Sequence, residues 1–103
     1  MVKISDYNPR AVGLPWVRKE DYAAFISICE DGHDAPATWD IFNQRSEQTE
    51  RGWKAQGQIT VRAYIDPDTF PGWCSAHGKR VDSNGRAAYA ASVAAEKHGR
   101  DDS

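Results

Sequence analysis

Cys29 and His33 lie close together in the chain, as do Cys74 and His77, so two Cys/His pairs of short spacing offer the nitrogen and sulfur ligands that a tetrahedral zinc ion takes. The second pair also has an enzymatic reading, in which His77 takes the proton of a Cys74 nucleophile on the same helix face. Neither an orienting carboxylate nor a glycine-rich nucleophile turn accompanies it. Both cysteines fall on the apolar stripe of an expected helix, where a thiol is ordinarily a small hydrophobe. Asp66 and Asp68 form a possible carboxylate pair at the end of a strand, yet capping of the following helix explains both. No phosphate loop, dinucleotide glycine pattern, calcium loop or serine nucleophile elbow is found in the sequence. The residues therefore argue against an enzyme, and no cofactor is expected.

The elements that must position these residues begin with Gln58 to Ile65. There Ile59, Val61, Ala63 and Ile65 alternate with Thr60, Arg62 and Tyr64, the period of a half-buried strand. A strand cannot stand alone, so its backbone groups need residues 2 to 5, the same strand of a second copy, or another protein. Residues 1 to 17, with Pro9, Gly13 and Pro15, read as an extended lead-in. Tyr22, Phe25, Ile26 and Cys29 make one stripe of a helix over residues 18 to 31. A longer helix runs from Ala37 or Thr38 to about Gln56. It has apolar ends at Trp39, Phe42 and Trp53, and a polar waist that includes Arg45, Glu47 and Glu50. Such a helix either bridges two parts of a core or projects into solvent.

Phe70, Trp73, Cys74 and His77 repeat the helical stripe. Asp66 and Pro67 signal its start, and Pro71 points to a regular part that begins near Thr69. Asp82 or Ser83 caps a last, alanine-rich helix from about Asn84 to His98, and residues 100 to 103 read as a frayed tail. The expected fold is α+β: four helices with a minimal sheet, in one domain spanning residues 1 to 103.

The chain has 103 residues and a formal charge of −2, which is too close to neutrality for a protein built mainly to hold a polyanion. The charge is nevertheless uneven. Residues 1 to 50 carry five basic and nine acidic side chains, and residues 51 to 100 carry eight and four. Arg62 and Tyr64 on the strand, with Trp53, Trp73, Arg51, Lys54, Lys79, Arg80 and Arg86, therefore give a nucleic-acid regulator as one alternative function, with a zinc or Cys/His-based site at Cys29, His33, Cys74 and His77 as the other. No apolar run approaches the roughly 20 residues needed to cross a bilayer, and the first residues lack a secretory pattern. A cytoplasmic protein with reduced thiols and no membrane partner is expected.

The segments IDPDTFPGWCSAHG and VDSNGRAAYAA, preceded by DYAAFISICED and PATWDIF, resemble a group of small bacterial proteins with a DPD, aromatic, WC, G core and an alanine-rich tail. The resemblance covers most of residues 21 to 95 and implies neither an activity nor a functional residue. The preferred reading is a protein-interaction module. Ile59, Val61, Arg62 and Tyr64 on the strand, or Arg45, Glu47 and Glu50 on the long helix, would make the contact with a second copy or another protein.

Overall fold

The alternation near residues 58 to 65 does form a strand, and its partner lies within the chain. The computed structural model describes residues 11 to 99. In chain order these form strand β1 (Val12–Trp16), a 3-10 turn (Lys19–Asp21), helix α1 (Tyr22–Ile28), a second 3-10 turn (Gly32–Asp34) and helix α2 (Trp39–Ala55). Strand β2 (Thr60–Tyr64), helix α3 (Phe70–Ala76) and helix α4 (Ser83–Ala94) follow, and the chain widens to π geometry over Ala95–Gly99. The described residues are thus α+β, with four α-helices and a sheet of two strands rather than one. The expected pairing of residues 2 to 5, like the frayed tail, lies outside them. No helix among them is long and apolar enough to cross a membrane.

The strands run parallel, with Val12 opposite Thr60 and Trp16 opposite Tyr64. The Val12 N–H donates to the Ile59 carbonyl at 2.8 Å, and the Ile65 N–H donates to the Trp16 carbonyl at 2.9 Å. In a parallel ladder alternate residues bond across, so Gly13 and Pro15 turn their backbone away from β2. This explains why a stretch that reads as lead-in is a strand. Pro15 lacks an N–H only where no bond to β2 is required. Gly13 lets α4 come close: a Cβ there would lie 2.0 Å from the Ala90 carbonyl oxygen.

Side-chain alternation then divides the sheet into two faces. Gly13 pairs with Val61 and Pro15 with Ala63, and α4 packs on this side with Ala90 and Ala94 buried. Alanines suit that contact because the helix backbone must approach the sheet. The other face carries Leu14, Trp16 and Arg62 and is covered by α2. The Trp16 indole N–H donates to Asn43 Oδ1 at 3.1 Å, and Arg62 bonds to Glu50. The strand's polar face is accordingly half-covered by the polar waist of α2 rather than open to water.

Immediately past the carboxyl ends of the strands, Val17 and Ile65 join Tyr22, Phe25, Phe70 and Cys74 in the apolar core. Rings extend it, with Tyr22 and Phe42 centred 5.4 Å apart and Trp73 set edge-on to Tyr89 at 5.3 Å. Local signals mark the helix ends. Thr38 Oγ1 accepts from the Ile41 N–H at 3.2 Å at the start of α2, and Asp82 accepts from the Asn84 and Gly85 N–H groups at the start of α4. Asp66 and Pro67 instead build a turn, in which Asp66 Oδ1 accepts from the Asp68 N–H at 2.9 Å. Helix α3 begins only at Phe70, which places Pro71 in its first turn, where a missing N–H is harmless. The first helix is shorter than its stripe suggests, because the backbone is extended at Cys29.

Candidate functional site

The outer edge of β2 follows from the ladder. Ile59, Val61, Ala63 and Ile65 address β1, so the backbone N–H and C=O groups of Thr60, Arg62 and Tyr64 point to the other side. Among the described residues no strand pairs with them. The Tyr64 carbonyl does accept a hydrogen bond from the Tyr89 hydroxyl, at 3.3 Å. Apolar side chains flank this edge at both ends: Ile59 is 44% exposed and Tyr64 37% exposed. Trp53, at the end of α2, is 37% exposed, and its carbonyl accepts from the Gln58 N–H.

Two charged side chains fix the surface beside the edge. Arg62 donates through Nε and Nη2 to the two Glu50 oxygens, each at 2.8 Å, in a bidentate pair. Its guanidinium also lies 3.9 Å from the centre of the Trp16 ring, a cation held on an aromatic face. Glu50 is buried, and the Arg62 hydrogen bonds hold its carboxyl below the usual glutamate range. The same pairing pushes the Arg62 pKa up. Tyr64 is capped in turn by Arg18, whose guanidinium lies 4.6 Å from its ring centre.

No family model, curated protein or solved structure matches this chain. Its function must be argued from its own geometry.

Ile59 and Tyr64 flank the outer edge, Arg62 stands at its middle, and Val61 is buried on the α4 side. Glu50 joins Arg62, whereas Arg45 is exposed on α2 and Glu47 half-buried there. Arg80 is bonded to Glu30 at 2.8 Å. Arg86 donates to both Asp31 oxygens, each at 2.9 Å. Arg51, Lys54 and Lys79 are exposed.

The Cys/His set does not assemble. Cys74 is buried in the core, His33 is exposed, and His77 stacks on Trp73 at 4.0 Å with Nδ1 2.8 Å from the Trp73 carbonyl. Among the described residues no three histidine, cysteine or acidic side chains are grouped to hold a metal. Burial pushes both thiols above their ordinary pKa, which disfavours the thiolate a nucleophile needs. Sequence reasoning missed Asp31 as the partner of Arg86 and Trp16 as the platform for Arg62. A signal for Glu50 and Arg62 was present: a helix with an acidic residue in its polar waist beside a strand with an arginine on its polar face.

Proposed function

We propose that this chain is a protein-interaction module that works by strand addition at the outer edge of β2, with a second copy of itself as the first partner. The observation that carries the reading is the row of outward backbone groups at Thr60, Arg62 and Tyr64 in a sheet that has two strands among the described residues. Sheets this small gain from a further strand, and main-chain bonding at an open edge is a recurrent mode of recognition.

Antiparallel pairing about a two-fold axis through Arg62 would set Thr60 opposite Tyr64 of the second copy and would close the assembly. Two arginines would then face one another, which is ordinarily unfavourable. The Glu50 carboxylate on each Arg62 offsets that repulsion. The nucleic-acid alternative draws less support, because Arg62, Arg80 and Arg86 are each engaged by a carboxylate. It predicts oligonucleotide binding at low salt that is lost in Arg62→Glu.

Light scattering over a range of protein concentrations tests the proposal. The Thr60 N–H points away from β1, so Thr60→Pro removes an outward donor and leaves the β1–β2 ladder intact. The full chain is expected to be a dimer and Thr60→Pro a monomer with the same circular dichroism. A full chain that stays monomeric at every concentration would overturn self-association. A dimer appearing only when residues 1 to 6 are removed would assign the edge to the chain's own beginning.

A further inference from the structure

The opposite side of the sheet has a different character. A cleft of about 350 Å³ is lined by both Leu14 and Pro15. Neighbouring residues of a strand point to opposite faces, so a cleft reaching both wraps around the strand's edge. This is the outer edge of β1, where Pro15 has no N–H to offer, which makes it a poor template for another strand. Phe25 and Ile26 of α1 and Phe42 of α2 line the same cleft.

One end is polar. Arg86 reaches it from α4 and is held by Asp31, with Nη1 also 3.6 Å from the Cys29 sulfur. A guanidinium carries five N–H donors in a rigid fork, so Arg86 retains donor capacity beyond these bonds. The guanidinium charge there is paired. Asp31 compensates Arg86, and Asp34, which also lines the cleft, is exposed and lies 3.5 Å from His33. An anionic guest would meet a guanidinium already paired with Asp31, and a cationic one only Asp34, which stays exposed to water, so a charge buried here gains little for the hydration it loses.

We propose that this cleft is a binding site for a small, uncharged, mainly apolar molecule that presents one hydrogen-bond acceptor to Arg86. Its size lies within the range of ligand pockets. Carbonyl and ether oxygens fit the acceptor, whereas a carboxylate would compete with Asp31 for the guanidinium. The site is independent of strand addition, since it flanks the other strand.

The uncharged naphthalene ketone prodan has this chemistry and reports its surroundings by fluorescence. The full chain is expected to bind it saturably, one to one, with blue-shifted emission. A naphthalene carboxylate of similar size should bind at least about tenfold more weakly. Ser46 lines the cleft from α2, so Ser46→Phe, which fills it, should weaken prodan binding at least about tenfold. Amide shifts in the unaltered protein provide a measurement that does not depend on the variant folding. They should move at Ile26, Gly32 and Thr49 and stay fixed at Thr60 and Tyr64. Non-saturable binding, equal affinity for the carboxylate, or shifts confined to the β2 edge would overturn the proposal.

Discussion

The side chain with most leverage on this surface is Glu50, because removing its carboxylate leaves Arg62 on the Trp16 ring without its counter-ion. Hydrogen bonds to charged groups contribute about 1.5 to 3 kcal/mol. Glu50→Gln is therefore expected to lower stability by about that amount, at the low end because Arg62 is partly exposed and can hydrate. The pair also fixes a pH dependence. Arg62 holds the Glu50 carboxyl below its ordinary pKa and Arg86 does the same for Asp31, so the unfolded chain takes up protons first as pH falls. The stabilisation is complete above the ordinary carboxylate range and is lost as pH drops through the depressed folded-state values. Urea midpoints should hold steady around neutrality and fall on acidification. In Glu50→Gln that fall should be smaller, with the Asp31 share remaining. Dimerisation through β2 should weaken over the same interval, since a protonated Glu50 leaves two Arg62 charges facing each other.

Among the elements, the contact between β1 and α4 depends on a missing side chain. Gly13→Ala would place a Cβ 2.0 Å from the Ala90 carbonyl oxygen, and a helix backbone cannot yield as a flexible side chain can. Overpacking costs about 1 to 3 kcal/mol where side chains can adjust, so a loss at or above the top of that range is expected in thermal or urea unfolding. Gly52→Ala is the contrast. Nothing stands within 4 Å of a Cβ there, and alanine is about 1 kcal/mol better than glycine inside a helix, so α2 should gain stability. This pair of glycines also shows where the sequence was readable. Periodicity located the helices and β2, because each has a stripe or an alternation long enough to register. β1 was hidden because what makes it a strand is non-local: Gly13 and Pro15 signal a turn until α4 and the outward edge give them a reason. The waist of α2 was legible as an anomaly, but only the placement of Arg62 explains it. The apolar cleft was not legible at all, since its walls come from elements far apart in the sequence.

Across the whole molecule, the chain must go from Trp16 to Thr60 before its sheet can close, and α1 and α2 are both made on the way. Among the described residues, neither portion of the chain on its own side of Gly57 contains a pair of strands. Gly57 is exposed and sits at a φ of 84° between α2 and β2, the kind of turn where a break in the backbone disturbs little packing. A chain severed after Gly57 should thus give two inert pieces, each short of a sheet, that regain structure only when they find one another. Mixing them should restore the far-ultraviolet circular dichroism of the uncut protein, and a summed signal unchanged on mixing would show that the connection itself is required. The parallel pairing of two distant strands makes this fold a natural candidate for reassembly from halves.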